Sequence, residues 1–201
     1  MGEAYLTVAE RAQAEFEVRG SEFIGHVAPA DSVEAAEAFV DEVREAYADA
    51  THNVPAYRVP AGDGDRHREW SSDDGEPTGS AGKPALNVLV QRDLRNVVAV
   101  VTRYYGGVNL GVGGLARAYA RGVSDAVTAA GVVEERPHER FVATVDYDDS
   151  GTVRGILESA GVEFDATYET RASFEILVPV EDGPGLRDRL RSATGGRVDL
   201  S

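Results

Sequence analysis

Cysteine is absent from the 201 residues, and lysine nearly so, Lys83 being the only one. No disulfide framework, thiolate zinc site or thiol nucleophile is open to such a chain. An oxidising compartment offers it nothing, so the cytoplasm is the expected location. Long apolar runs are missing too. Nothing approaches the roughly 18 apolar residues of a membrane span, and the opening stretch MGEAYLTVAERAQAEFEVRG has neither the basic flank nor the apolar core of a secretion signal. Positive charge is scarce, with 20 Lys and Arg against 35 Asp and Glu, a net charge of -15 at pH 7. This balance suits a salt-adapted, halophilic cytoplasm, where carboxylates keep the surface hydrated and salt screens their repulsion. The alternative is an acidic protein that avoids nucleic acid. On the first reading net charge reports habitat rather than partner, and a local cluster of arginines carries more information than the total.

What is present is patterned. Residues 5–29 alternate apolar and polar about Gly20-Ser21, which predicts a β-hairpin. Ser32 is placed to cap a helix whose apolar positions Val33, Ala36, Phe39, Val40, Val43 and Tyr47 recur at helical spacing. The pattern next predicts a strand over 54–60, a polar loop over 61–72, a short helix over 84–90 and a strand over 96–102 buried on both faces. A helix over 115–130 is closed by Gly131. The charged, proline-broken run 134–139 marks a boundary, giving domains 1–134 and 135–201. Beyond it the reading is strand 141–147, a helix capped by Ser150 and ending at 160, strands 162–169 and 172–180, helix 184–192 and strand 197–200. This is the ferredoxin-like βαββαβ unit. The fold class is a two-domain α/β protein, and that alone decides no function.

Three constellations can carry chemistry. Asp49-Ala50-Thr51-His52-Asn53 sits at the predicted end of the first helix, where His52 is either a base or a partner of free helix carbonyls. Asp73, Asp74 and Glu76 lie within four residues and offer oxygen ligands to a hard cation, or form a tight acidic turn capping the next helix; the calcium-loop spacing is missing. The following Gly82-Lys83-Pro84 fails as a nucleotide P-loop, because Pro77 replaces its first glycine and Pro84 its hydroxyl residue. The third constellation runs from Arg103-Tyr104-Tyr105-Gly106-Gly107 to Gly111-Val112-Gly113-Gly114, with Ala116 and Arg117 after it. Gly111, Gly113 and Ala116 match a dinucleotide fingerprint, but about nine residues separate them from the strand end, too many for that motif. What survives is backbone amides left uncovered before a helix, which suit an anion. Arg103, Arg117 and Arg121 lie near in sequence, and Tyr104, Tyr105 and Tyr119 are candidate stacking faces or core.

Taken together, the strings around His52, Asp73-Asp74-Gly75-Glu76-Pro77, Gly79 to Pro84, and Arg103 to Tyr119 resemble the IMPACT/YigZ family. Ser80 stands where that family usually has Thr, and Tyr105 where it has Phe. The resemblance implies an N-terminal α/β domain of ribosomal-protein type and a C-terminal domain like the last, ferredoxin-like domain of elongation factor G. It also implies a place in translation, since eukaryotic relatives restrain the amino-acid-starvation kinase; that partner is not carried over. The family has no catalytic residues to transfer.

The reading that follows is a non-enzymatic, translation-associated factor that binds RNA or a ribosomal surface through the Gly-rich loop and needs no cofactor. Arg103 and Arg117 are expected on phosphates. Gly106, Gly107, Gly111, Gly113 and Gly114 supply the backbone, and His52, Asn53, Tyr104 and Tyr105 flank it. A second reading is an enzyme or phosphate-ligand binder with a divalent cation on Asp73, Asp74 and Glu76 and His52 as proton carrier. A third is a protein–protein adaptor that presents Tyr104 and Tyr105.

Overall fold

The computed structural model describes residues 4–61 and 66–201. The chain falls into two compact units, Tyr5–Glu135 and Arg136–Ser201 together with Ala4. Both mix helices and strands.

The first unit runs β1 (Tyr5–Val8), β2 (Ala12–Val18), β3 (Ser21–Pro29), α1 (Val33–Ala46), β4 (His52–Pro60), β5 (His67–Ser71), α2 (Gly82–Gln91), β6 (Val97–Tyr104), α3 (Gly111–Ala130) and β7 (Val132–Glu135). An antiparallel sheet holds five of the strands in the order β2-β3-β6-β4-β5. Its central strand, β6, explains the layering. Val97, Ala99 and Val101 pack into the core made with α2 and α3, while Val98 and Val100 face the core made with α1. Side chains alternate across a strand, so only an unbroken apolar run can serve a sheet covered on both faces.

Local signals act as the sequence suggests. Ser32 Oγ accepts the Ala35 amide at 3.2 Å and starts α1. The hairpin expected over 5–29 is narrower, β2 with β3 over 12–29, while Tyr5–Val8 pairs elsewhere; it turns through Arg19 and Gly20 rather than Gly20-Ser21, both at positive φ, as a two-residue hairpin requires. Helix α3 lies close on the sheet because two side chains are missing: a Cβ on Gly25 would come within 2.0 Å of the Gly122 carbonyl oxygen.

Four details differ. The run at 134–139 is not irregular: Glu134 and Glu135 belong to β7, which pairs antiparallel with β1 in a two-stranded ribbon. All four β7 residues are exposed, so the ribbon has no apolar period to read. Part of the expected loop over 61–72 is strand β5, paired with β4; residues 62–65 lie outside those described. Helix α3 starts at Gly111, so Gly111, Gly113 and Gly114 form its first turn rather than a loop before it. Ser150 is inside α4 (Tyr147–Ala160), its hydroxyl bonded back to the Tyr147 carbonyl, and Asp146 occupies the cap position.

The second unit runs β8 (His138–Val145), α4, β9 (Glu163–Tyr168), β10 (Ala172–Pro179), α5 (Gly183–Ala193) and β11 (Asp199–Leu200). Its antiparallel sheet has the order β11-β8-β10-β9, which is ferredoxin-like. Phe141, Phe174 and Ile176 pack against Val153 and Leu157 of α4 and Leu186 and Leu190 of α5.

Candidate functional site

The loop between β5 and α2 is built on Asp73. Its carboxylate accepts the amides of Gly79 (2.7 Å), Ala81 (3.1 Å) and Gly82 (2.8 Å). These bonds supply the cap that Ala81, at the start of α2, cannot. Burial raises the Asp73 carboxyl, but the three backbone donors outweigh it and hold its pKa below the ordinary value. Asp74 is committed elsewhere, Oδ2 to the Asn53 amide at 2.7 Å and Oδ1 to Arg44 at 3.3 Å. Glu76 is 8 % exposed, and its Oε1 accepts both Arg103 Nη1 and the Tyr119 hydroxyl at 2.6 Å. The three carboxylates thus serve three separate sets of donors and do not converge. Among the described residues no group of three or more acidic or histidine side chains is arranged to hold a metal ion.

His52 opens β4 rather than closing a helix. Its Nδ1–H donates to the Asp74 carbonyl at 2.7 Å, which fixes that tautomer and leaves Nε2 facing Glu76 Oε1 at 3.9 Å. Asn53 ties elements together beneath: its Nδ2 donates to the Tyr47 carbonyl and its Oδ1 accepts the Thr102 hydroxyl. Arg103, expected on a phosphate, is instead 4 % exposed and paired with Glu76. Its guanidinium also lies against the rings of Phe23 and Tyr105. Tyr119, a candidate stacking face, is fully buried; burial first and Glu76 second hold its phenol far above the ordinary pKa. Tyr104 donates to Asp49 at 2.9 Å, which raises its phenol pKa in turn.

The Gly-rich loop over 105–110 is stapled by hydroxyls. Thr51 Oγ1 accepts the Tyr105 amide and Ser21 Oγ the Gly106 amide. A Cβ on Gly106 would come within 1.9 Å of the Gly20 backbone, so this glycine lets the loop lie on the hairpin turn. Gly107 and Gly111 have positive φ and open space around them. No side chain caps α3 at Leu110. Tyr105, Val108 and Val112 are 46 %, 47 % and 59 % exposed, an apolar crest beside uncovered amides.

Two depressions flank this crest. One is a cleft of about 540 Å³ with His52, Glu76 and Arg103 at its base and Tyr105, Leu110 and Val112 among its walls. The other, about 300 Å³, is lined by Arg19, Arg117 and Arg121 with Val18, Leu110 and Gly114. The sequence constellations are therefore sorted: His52, Glu76, Arg103, Tyr105 and Gly111 share the cleft, Asp73, Asp74 and Asn53 hold the frame around it, and Arg117 faces the other side. Arg121 is bonded to Asp125 and lies over the Phe16 ring. Arg19 and Arg117 have no carboxylate partner among the described residues. Arg19 escaped the sequence reading, its only signal being a basic residue on a hairpin turn.

Residues 19–127 match the family model described as the Impact N-terminal domain, and residues 144–197 match a domain of unknown function, DUF1949. The chain is similar to the IMPACT family member YvyE of Bacillus subtilis, 35% identical over 98% of this chain and 90% of that one. It is also similar to YigZ of Escherichia coli, 33% identical over 98% and 97%. A crystal structure of a hypothetical protein superposes with a TM-score of 0.68 at 32% identity, over 98% of this chain and 96% of that one. With the signature strings gathered around one cleft and both family regions present, the chain belongs to the IMPACT family.

Proposed function

We propose that this chain is a cytoplasmic, translation-associated regulatory factor that binds ribosomal RNA through the face formed by Arg19, Arg117 and the crest of the Gly-rich loop. The observation that carries the reading is the pair of arginines without carboxylate partners in one depression, on a chain where acidic residues outnumber basic ones 35 to 20. Like charges held together in an acidic protein are stabilised by an anion brought from outside. Guanidinium forks match phosphate oxygens, and phosphate contacts supply most of the affinity for nucleic acid. Exposed Tyr105 adds a ring on which an unpaired base can stack. Arg103 leaves the expected phosphate set, because Glu76 holds it in the interior, and Arg19 takes its place. The role in translation implied by the family resemblance is consistent with such a face. The acidic remainder of the surface belongs to the salt-adapted setting.

The test is co-sedimentation with ribosomes at several salt concentrations, comparing the wild type with Arg19→Ala/Arg117→Ala. Wild-type protein in the pellet, and a folded double variant left in the supernatant, is the expected result. No pelleting of the wild type at any salt concentration overturns the reading.

A further inference from the structure

Helix α1 packs on Tyr57 and Val59 of β4 and on Val98 and Val100 of β6. The sheet runs on past it through β3 to the edge strand β2. Between that part of the sheet and the helix is a cavity of about 310 Å³, which shares no lining residue with the two depressions beside the Gly-rich loop. Its walls include Phe39, Val43 and Ala46 of α1 and Tyr47, whose ring lies 4.8 Å from that of His26. Arg11 and Glu42 join across the rim, their side chains more than half exposed, and the Arg11 guanidinium lies over the Phe39 ring. The two charges cancel, so the entrance selects neither anions nor cations.

A relay of hydrogen bonds fixes the polarity at the base of this cavity. The Tyr47 carbonyl can only accept, so Asn53 turns its Nδ2 toward it at 3.1 Å and its Oδ1 toward Thr102. Thr102 gives its single proton to Asn53 Oδ1 at 2.7 Å, which leaves its oxygen to accept from His26 Nε2 at 3.2 Å. The imidazole therefore carries its proton on Nε2 and a lone pair on Nδ1. Burial, which lowers its pKa to about 4, keeps it in that neutral form at pH 7. Although His26 is 5 % exposed, Nδ1 has no partner among the described residues. The side-chain atoms sealed off without a partner there belong to Arg58, Arg95 and Arg103. Nδ1 is not one of them, and it opens onto the cavity that its ring lines.

We infer that this cavity binds a small, neutral, planar aromatic molecule carrying one N–H or O–H donor, with the donor on His26 Nδ1 and the ring against Phe39 and Tyr47. Three observations set that class. The free acceptor at the base calls for a donor. The cancelled charges at the rim favour a neutral molecule over an ion. The aromatic lining favours a ring, which packs edge-on or offset against its neighbours. Size sets the upper limit: a cavity of about 150 Å³ takes up one benzene, so the volume of about 310 Å³ suits a molecule of one or two rings. It stands at the small end of the range of ligand sites.

The experiment is calorimetric titration of the full chain at pH 7 with indole and phenol, each beside its methylated counterpart, N-methylindole and anisole, in which the donor is gone. Indole or phenol is expected to saturate the wild type, and its counterpart to bind about tenfold more weakly, the effect of an acceptor left without its donor. His26→Leu removes the acceptor and keeps an apolar side chain, and is expected to bind each pair alike. Ala46→Trp fills the cavity from an exposed position at the end of α1. It is expected to lose at least about tenfold in affinity with an unchanged thermal midpoint, and it keeps the test decisive should His26→Leu fail to fold. Nitrogen NMR of the labelled imidazole is the second readout: His26 is expected to show a protonated Nε2 and a bare Nδ1, and the bound ligand to shift the Nδ1 resonance. No saturation by indole or phenol overturns the proposal. So does equal affinity of the wild type for the methylated counterparts, undiminished binding by Ala46→Trp, or a proton found on Nδ1. The titration contains no ribosome, so its failure and failure of the ribosome reading are separate results.

Discussion

Tyr119 and Arg103 meet on one atom: the Tyr119 hydroxyl and Arg103 Nη1 both reach Glu76 Oε1 at 2.6 Å. The pair of charges is almost wholly buried, with side-chain exposures of 5 % for Arg103 and 4 % for Glu76. Such a pair adds little net stability over an apolar replacement, but removing one member strands the other. Glu76→Ala is therefore expected to destabilise the chain by about 3–5 kcal/mol, and Tyr119→Phe by about 1 kcal/mol. Urea denaturation of both variants checks this; a Glu76→Ala loss below about 1 kcal/mol would show the ion pair to be hydrated in solution. It follows that Arg103→Ala is a poor probe of binding, since it leaves the Glu76 carboxylate uncompensated.

His26 gives a pH signature. It is 5 % exposed, bonded to the Thr102 hydroxyl, and burial lowers its pKa to about 4. The folded pKa lies below the unfolded value of 6.5, so the unfolded chain takes up a proton that the folded chain refuses. Stability from this residue is intact above pH 6.5 and falls as the pH drops toward 4, by about 3 kcal/mol at about 1.4 kcal/mol per unit. The charged groups lining the same pocket are Arg11 and Glu42, bonded to each other at 2.5 and 2.8 Å. That bond raises the Arg11 pKa and lowers that of Glu42, both shifts favouring the charged pair. Denaturation midpoints at pH 7, 5.5 and 4.5 should fall steeply for the wild type and more gently for His26→Leu.

Glycines that look alike in sequence do different work, and substitution separates them. Gly25→Ala forces a methyl to within 2.0 Å of the Gly122 carbonyl oxygen, which only a shift of α3 can relieve. A loss of about 1–3 kcal/mol or more is expected. Gly107→Ala meets nothing within 4 Å but needs a left-handed conformation at φ 85°, with a cost of about 1–2 kcal/mol. Thermal denaturation ranks the two; equal effects would show that helix–sheet spacing is not set at Gly25.

The elements legible beforehand were those whose burial is periodic. The apolar run of β6 announced a strand covered on both faces, and Ser32 announced a helix start, because each signal is local. The β1–β7 ribbon was not legible: its partners Tyr5 and Glu135 stand at opposite ends of the unit, and the β7 side is wholly exposed. The site was half legible. Glycine spacing located the loop, yet nothing in the string Arg103-Tyr104-Tyr105 tells that the arginine turns inward to Glu76 while Tyr105 turns outward. That division depends on β6 ending at Tyr104, so that Arg103 is still held by the sheet while Tyr105 leaves it with the loop, and on a carboxylate delivered by a distant loop. Arg19 joins Arg117 only because the hairpin turn packs beside α3, a relationship that no spacing records.

That relationship sets the last expectation. If Arg19 and Arg117 each neutralise one phosphate, binding releases counterions from both contacts, and affinity falls with salt accordingly. Each contact contributes about 0.7 to 0.9 to the slope of log K against log salt, depending on whether the RNA is single-stranded or paired. Arg117→Glu should reduce the slope by about 1, and Arg19→Glu by a similar amount. Neither should change folding stability by more than about 0.5 kcal/mol, since both side chains are at the surface and paired to no carboxylate among the described residues. The slope, measured by filter binding to ribosomal RNA fragments from low to high potassium chloride, separates a phosphate contact from an apolar one. Loss of affinity with an unchanged slope would mean that Arg117 acts through its aliphatic stem on the crest beside it, and the phosphate assignment would pass to other residues.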